Sequence, residues 1–205
     1  TEKLIQNVMV IMGDPKQNDP VKPCHIFDDD DIYTIDQLKG EVKELSGYNF
    51  NYLDNHETLI NDLIQQRNKI DYVFNLCDEG YYNDPTKELH VPALLEILKI
   101  PYTGSGPQCL AICYDKSLVR GVASEMAIPV PEALFIKPED VTFELPSSFP
   151  VLVKPNYGDS SFGITQKSVA NNSEEFLQAV SEIRDKFGYD KPILVEEFLT
   201  GKDIS

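Results

Sequence analysis

The segment FPVLVKPNYGDSSFG, residues 149–163, decides the fold of the second half of this 205-residue chain. Its apolar run, residues 151–153, lies between Pro150 and Pro155 and predicts a short buried strand. Lys154 follows that run directly, so we expect its stem to be packed and its ammonium group to be fixed at the strand's end. A glycine- and serine-rich loop comes next, and this combination is typical of sites that hold phosphate.

The loop contributes groups that a lysine cannot supply. Its glycines permit a tight turn that aims backbone N–H groups at one anion, and its two hydroxyls can join them. The residues concerned are Gly158, Ser160, Ser161 and Gly163. No Walker A pattern is present in the sequence. An ordinary hairpin with polar turn residues explains the loop equally well at this point.

The amino-acid composition limits which class of protein and which partners are expected. The chain is 41% hydrophobic and 25% charged, as a globular protein of one or two domains is. A formal charge of −16 argues against nucleic acid or an acidic membrane surface as the main partner. The four cysteines lack metal-ligand spacing, and neither a signal peptide nor a membrane span is visible. We therefore expect a cytoplasmic protein with reduced thiols and no structural metal site.

Residues 1–106 alternate between strand and helix patterns. Strands are predicted at residues 8–12, 48–53, 71–76 and 100–103, and helices between them carry apolar residues at helical spacing. Thr34 and Gln37 suggest a capping box for the first helix, whereas the acidic run at residues 28–31 suggests a flexible loop. Such alternation predicts a Rossmann-like parallel sheet whose ligands bind beyond the carboxyl ends of the strands.

Residues 107–205 predict a smaller α+β unit. A helix is expected at residues 108–127 and another, capped by Asn172 and Glu175, at residues 173–187. Strands are expected near residues 133–136, 151–154, 164–169 and 193–198.

Three features of this second unit add to the phosphate loop. Lys116 is a second lysine that can neutralise phosphate, although surface lysines are usually solvated. Glu196 lies at the end of an apolar strand, where a hinge beside a nucleotide offers backbone groups and a carboxylate to adenine. Acids at strand ends are also commonly just exposed to solvent. Asp203 follows seven residues later and can accept hydrogen bonds from ribose hydroxyls.

These residues carry a resemblance to a known family. FNLCDEG, VPALLEILKIPYTGSG, DKSLVR, FPVLVKPNYGDSSFGI and ILVEEFLTGKDIS occur in this order over roughly residues 71–205. Together they resemble the ATP-grasp ligases, and specifically the D-alanine–D-alanine ligase family and its close relatives. The resemblance implies a pre-ATP-grasp domain at residues 1–106, followed at residues 107–205 by the central lobe of an ATP-grasp fold, incomplete at its C-terminal end.

The resemblance also implies roles. Lys116 and Lys154 contact ATP phosphates, the loop closes over them, and Lys154 and Ser160 are the expected catalytic residues. Glu196 accepts from the adenine amino group, and Asp203, where the family usually has glutamate, binds the ribose. The expected nucleotide-binding set is Lys116, Lys154, Gly158, Ser160, Ser161, Gly163, Glu196, Glu197, Phe198, Leu199 and Asp203.

In such ligases ATP phosphorylates a carboxylate and an amine then displaces phosphate from the acyl phosphate, so no protein nucleophile is needed. The implied cofactors are ATP and Mg²⁺, the implied substrate is a small amino acid or a peptide-like molecule, and relatives are often homodimers. The family's Mg²⁺ ligands lie in a segment beyond the residues that match here. We therefore expect no metal ligand among residues 1–205.

Departures from the family pattern fall in the first unit and in the loop. The family's E-x-x-V-S element is missing after Met12, Cys77 and Asp78 replace its histidine, and residues 82–85 replace its G-E-D-G stretch. Asp159 places a carboxylate within the phosphate loop. Amino-acid selection is therefore expected to differ from that of enzymes that join two D-alanines.

The resemblance favours an ATP-dependent carboxylate–amine ligase of the D-alanine–D-alanine ligase type, and three alternatives to it remain open. A ligase for another amino acid or peptide is one, a nucleotide-binding module without ligase activity is the second, and a purely structural protein is the third. ATP turnover separates the first two, and the third predicts that Lys154→Ala leaves nucleotide affinity unchanged. The scattered His25, His56 and His90 are not expected to be catalytic.

Overall fold

A computed structural model describes residues 4–158 and 163–202 of the chain. They divide into two compact units, Thr1–Ala111 and Ile112–Ser205. The sequence pattern placed this division at residues 106 and 107, five residues earlier than the structure has it. Within the described ranges, no helix combines the length and the apolar character that crossing a membrane requires.

The first unit contains a parallel three-stranded sheet. Its strands are β1 (Asn7–Met12), β2 (Asn49–Leu53) and β3 (Tyr72–Leu76), in the order β2-β1-β3. Strand β1 is central, and it is the most apolar of the three because both of its faces are covered. The predicted fourth strand is reduced to a single bridge between Val73 and Tyr102.

Three helices flank this sheet: α1 (Asp29–Lys43), α2 (Leu59–Gln66) and α3 (His90–Leu98). The expected start of α1 at Thr34 and the expected acidic loop are both wrong. Asp28 is the N-cap, its carboxylate accepts from the Asp30 and Asp31 N–H groups, and Asp31 completes the capping box. Carboxylates are favoured in a first helical turn because they meet unpaired N–H groups and the positive end of the helix dipole.

A core between the sheet and the helices holds the first unit together. It is formed by Met9, Ile11, Leu59, Leu63, Ile70, Val73, Cys77, Val91, Leu95 and Ile100.

The second unit begins within α4 (Pro107–Cys113), which is followed by α5 (Lys116–Glu125). One continuous helix at residues 108–127 was predicted, and this prediction is wrong. Asp115 has extended backbone and its carboxylate accepts from the Ser117 and Leu118 N–H groups, so it starts a new helix as an N-cap.

An antiparallel sheet covered by one helix forms the body of the second unit. The strands are β4 (Ala133–Ile136), β5 (Val151–Pro155), β6 (Val169–Ala170) and β7 (Ile193–Glu197), in the order β4-β7-β5-β6. Helix α6 (Ser173–Phe187) begins at its predicted cap, Asn172. The predicted strand at residues 164–169 is mostly a 3-10 turn, Gln166–Ser168, which the Thr165 side chain caps.

The core of the second unit lies between the sheet and α6. Its buried members are Ile136, Val151, Val153, Ala170, Phe176, Ala179, Val180, Ile183, Ile193 and Val195. The expected fold class, a parallel α/β domain followed by a small α+β lobe, is confirmed.

Candidate functional site

Strands β5 and β7 place two opposite charges on one face of the sheet. They are antiparallel neighbours, with Lys154 opposite Leu194 and therefore two positions from Glu196 along β7. Side chains alternate between the faces of a strand, and Val153 and Val195 occupy the core under α6. Lys154 and Glu196 consequently project from the face that α6 leaves uncovered.

Lys154 and Glu196 form an ion pair between Nζ and Oε2. Their side chains are only 16% and 11% exposed, so the pair is largely shielded from water. The sequence predicted Lys154 at the phosphates and Glu196 at the adenine amino group. The structure brings both residues together but pairs them with each other.

Arg120 is a third charged residue of this cluster, and the sequence reasoning missed it. Its Nε lies 3.9 Å from Glu196 Oε1, and its Nη1 donates to the Pro131 carbonyl. A signal was available, because Arg120 stands four residues after Lys116 and therefore on the same side of α5. Glu196 thus has a cation near each of its carboxylate oxygens.

The start of α5 is fixed to the end of β5 by a polar network around Asn156. Asn156 is fully buried; its Nδ2 donates to Asp115 Oδ1 at 2.8 Å and its Oδ1 accepts from the Ser117 N–H at 3.0 Å. The Lys116 N–H donates to the Asn156 carbonyl at 3.0 Å. Burial acts to raise the pKa of Asp115, but hydrogen bonds from Ser117 and Asn156 outweigh it and leave the pKa below its ordinary value.

Lys116 reaches from this network to the beginning of the loop. Its Nζ donates to the Gly158 carbonyl. Gly158 has a φ of 101°, which only glycine adopts without strain. The structure therefore places Lys116 beside the loop to which its predicted role assigned it.

Gly163 marks the other end of the loop. Its φ is 75°, and a Cβ built there would lie 2.6 Å from Pro155 Cγ and 2.9 Å from Phe187 Cε2. Both its conformation and its surroundings therefore require glycine. Ser160 and Ser161, the hydroxyls predicted at the phosphates, lie outside the described residues, as does Asp159.

The hinge at the end of β7 was predicted to offer backbone groups to adenine, and two of its N–H groups differ from this prediction. The Glu197 N–H donates to the Glu132 carbonyl at 2.9 Å, and the Phe198 N–H donates to the Pro150 carbonyl at 3.1 Å. These two N–H groups are therefore engaged within the protein rather than offered to a base. The Phe198 and Leu199 side chains are exposed and can cover an aromatic ring. Asp203, predicted at the ribose, lies outside the described residues.

A cavity of about 210 Å³ lies at the end of the sheet beside this hinge. Strands β4, β5 and β7 and the segment at residues 144–148 line it. The residues that line it include Glu132, Glu144, Glu196 and Glu197 and neither lysine nor arginine. Because carboxylates repel phosphate, this cavity is unsuited to the anionic part of a nucleotide, and the cationic residues above remain the candidate.

The first unit contains a buried polar network that the sequence did not reveal. His56 is fully buried; its Nδ1 accepts from the Tyr82 N–H at 2.7 Å and its Nε2 lies 3.0 Å from the Met12 carbonyl. These partners fix the tautomer in which Nε2 carries the proton. The backbone N–H of His56 donates to Asp14 Oδ2 at 2.9 Å. Asn83 Oδ1 accepts from the Asp14 N–H, and Asn83 Nδ2 donates to the Asp14 carbonyl. His56 therefore joins the end of β1 to the segment that follows β3.

Cys77 and Glu79 lie at this same end of the sheet. Cys77 is 2% exposed, and burial raises the pKa of its thiol, so it is held as a thiol rather than a reactive thiolate. Burial, reinforced by the charge of Asp78, raises the pKa of Glu79 to about 7. Its Oε2 is buried and accepts no hydrogen bond from any described residue.

Within residues 4–158 and 163–202, no three His, Cys, Asp or Glu side chains are placed to hold one metal ion.

Sequence comparison adds an independent finding to this geometry. Residues 124–205 match the family model described as the D-ala D-ala ligase C-terminus. The chain is 31% identical over 174 residues to the D-alanine–D-alanine ligase of Halalkalibacterium halodurans, an alignment that covers 83% of this chain and 52% of the relative. The chain therefore spans about half the length of this curated relative.

Structure comparison identifies the same fold. A crystal structure of D-alanine–D-alanine ligase from Bacillus anthracis is similar with a TM-score of 0.67 and 19% identity, covering 97% of this chain and 58% of that one. A structure of a Bacillus anthracis D-alanine–D-alanine ligase complexed with ATP is similar with a TM-score of 0.65 and 22% identity, covering 96% of this chain and 60% of that one.

Proposed function

This chain is a D-alanine–D-alanine ligase-like ATP-grasp protein, and we propose that it binds ATP and uses it to join a carboxylate to an amine. In the proposed reaction ATP phosphorylates the carboxylate, an amine attacks the acyl phosphate, and inorganic phosphate leaves.

The concentration of cations around the end of β5 carries this proposal. Lys154, Arg120 and Lys116 stand there with two carboxylates, Glu196 and Asp115, and the Asp115 carboxylate is engaged by Ser117 and Asn156. The chain as a whole has a formal charge of −16, so this is a local positive site on an acidic protein. Such a site attracts a small anion such as a nucleotide phosphate rather than a long polyanion.

The residues of this site fit ATP in complementary ways. Lys154 and Lys116 neutralise and position the phosphates, and the loop bracketed by Gly158 and Gly163 closes over them. Glu196 accepts from the adenine amino group. No covalent bond to the protein forms, because the proposed chemistry needs only positioning and charge neutralisation.

Mg²⁺ is the ion expected to accompany ATP in ligases of this type. The described residues contain no set of side chains that fits it. We therefore assign no step to Mg²⁺ on residues 4–158 or 163–202.

The first unit favours a second candidate, a ligase that selects an amino acid other than D-alanine. Cys77 stands where the family has histidine, and its buried thiol with a raised pKa neither carries a positive charge nor readily becomes an anion. Tyr82 and Asn83 are held by His56 and Asp14 rather than left to contact a substrate through the same groups. The end of this sheet is therefore built differently from the family pattern.

Phosphate release from Mg-ATP tests the proposal directly. The protein is assayed with D-alanine, other single amino acids and pairs of them, alongside Lys154→Ala and the control Lys167→Ala. Lys167 is a matched control because, like Lys154, it lies in the second unit and pairs with a glutamate, Glu182. Unlike Lys154, its side chain is 70% exposed. We expect one amino acid or pair to stimulate release, and only Lys154→Ala to abolish it.

Two other results would favour the rival readings. ATP binding without phosphate release for any substrate favours a nucleotide-binding module. ATP affinity that Lys154→Ala leaves unchanged both in the unaltered protein and in Glu196→Gln, where no ion pair competes, contradicts the phosphate role and favours a loop that is only a hairpin.

We further propose a cytoplasmic location and a homodimer. Cys24 and Cys77 are free thiols, as expected in a reducing compartment. The homodimer rests on the family resemblance, and sedimentation equilibrium of the purified protein tests it.

A further inference from the structure

The cluster around Glu196 contains a cation that the predicted nucleotide contacts do not use. Lys154 Nζ pairs with Glu196 Oε2, whereas Arg120 Nε lies 3.9 Å from Oε1. Arg120 is in turn anchored, because its Nη1 donates to the Pro131 carbonyl. The two cations therefore address different oxygens of one carboxylate, and one of them is tied to the backbone.

We propose that Arg120 is a positioning residue that retains Glu196 when Lys154 leaves it for a nucleotide phosphate. Held in this way, Glu196 selects bases that carry an exocyclic amino group. This inference rests on the proposed function, since it assigns Lys154 to the phosphates and Glu196 to adenine.

Burial explains why a retaining residue is needed. Glu196 is only 9% exposed, and Lys154 is its close ionic partner. A buried carboxylate that loses its cation is strongly destabilised, so departure of Lys154 alone would oppose nucleotide binding. A guanidinium already at 3.9 Å removes most of that cost, because it can close on the carboxylate as the ammonium group withdraws.

The hydrogen bond to the Pro131 carbonyl orients the Arg120 side chain. Pro131 lies two residues before Ala133, and Ala133 pairs with Glu196 across strands β4 and β7. The carbonyl that holds Arg120 is therefore close in the backbone to the carboxylate that Arg120 addresses. An arginine can serve both groups through separate N–H bonds of its planar fork, whereas a lysine is a single point charge.

The consequence for base selection follows from hydrogen-bond chemistry. A carboxylate accepts from the 6-amino group of adenine, but it is repelled by the 6-oxo group of hypoxanthine. If Glu196 turns away once Lys154 leaves, this discrimination is weakened. Arg120 is thus expected to affect the ratio of the two affinities more than the affinity for ATP alone.

Calorimetric titration with ATP and inosine triphosphate tests this inference. The unaltered protein is compared with Arg120→Gln, Arg120→Lys and the control Arg67→Gln, which changes an exposed arginine of the first unit. We expect the preference for ATP to fall about tenfold in Arg120→Gln, as the loss of one charged hydrogen-bonding arrangement implies. Arg120→Lys should recover only part of the preference, and Arg67→Gln should retain all of it.

A merely structural role predicts a different result. It would weaken both nucleotides by the same factor, and an unchanged ratio in an Arg120→Gln variant that still binds ATP overturns the inference. Absence of ATP binding by the unaltered protein overturns the proposed function and the selection role together.

A second measurement needs no nucleotide and detects whether Arg120 holds Glu196. The shift in the thermal unfolding midpoint caused by Arg120→Gln is measured twice, once in the otherwise unaltered protein and once in Lys154→Met. In Lys154→Met, Arg120 is the remaining cation on Glu196. We expect Arg120→Gln to lower the midpoint more in the Lys154→Met background. Equal shifts in both backgrounds contradict the retaining contact, since independent residues have additive effects.

Discussion

Replacing Gly163 with alanine tests the loop on which the candidate site depends. Gly163 has a φ of 75°, in the left-handed region. A Cβ there would lie 2.6 Å from the Pro155 ring and 2.9 to 3.0 Å from the Phe187 ring. Neither ring is the free end of a flexible chain, because Pro155 belongs to β5 and Phe187 packs against the core at the end of α6.

Two costs combine in this variant. Left-handed backbone costs a residue with a Cβ about 1–2 kcal/mol. Forcing a methyl group between two packed rings costs about 1–3 kcal/mol more. We expect Gly163→Ala to lose about 2–5 kcal/mol of folding free energy, which is a large part of the stability of a small unit.

Urea unfolding, followed by circular dichroism, measures the loss. Gly47→Ala is the control because Gly47 also has a positive φ, 93°, and a Cβ built there would meet no atom within 4 Å. Gly47→Ala should therefore show the cost of the positive φ alone. If Gly163→Ala loses no more stability than this control, the close packing of the loop's end against β5 and α6 is refuted.

The titratable side chains lead to three further predictions. Asp115→Ala should cost the second unit about 1 kcal/mol at neutral pH through the loss of its N-cap. The folded pKa of Asp115 is lowered, so its contribution is present above the unfolded value of 3.8 and is lost at lower pH. The difference between the two proteins, measured by urea unfolding, should therefore shrink in acid. The pKa of Glu79 is raised from 4.5 to about 7, which makes the first unit less stable as pH rises through that interval. Glu79→Gln should remove this dependence from the thermal midpoint between pH 5 and pH 8. Finally, iodoacetamide followed by mass spectrometry should modify the three exposed cysteines quickly and Cys77 only after unfolding.

The sequence predicted the fold where apolar periodicity was strong. Strand β4 and helix α6 have the bounds expected of them, and β1, β2 and β3 differ by a residue or so at one end. Failures occurred where one polar side chain decides a boundary. Asp28 and Asp115 each begin a helix through hydrogen bonds to backbone N–H groups, and acidic composition alone cannot distinguish such a cap from a loop.

The candidate site was predicted only in part, for a related reason. Lys116 and Lys154 stood in recognisable motifs, so their place near the loop could be inferred from position along the chain. Arg120 and His56 stand in no motif, and their importance depends on partners distant in sequence, namely Glu196 and the groups at the end of β1 and in the segment that follows β3. Contacts of this kind are set by how strands and helices pack, which local pattern does not encode.

The pairing of Lys154 with Glu196 changes how the effect of each residue should be interpreted. Both were predicted to contact the nucleotide, yet in the structure each satisfies the charge of the other. Removing Lys154 therefore takes away a phosphate contact and also leaves Glu196 with Arg120 as its cation. A loss of ATP affinity in Lys154→Ala consequently combines two effects of opposite sign, because the variant no longer has to break the ion pair before binding. Repeating Lys154→Ala in the Glu196→Gln background separates the two effects, because no ion pair competes there and the adenine contact is altered equally in both proteins that are compared.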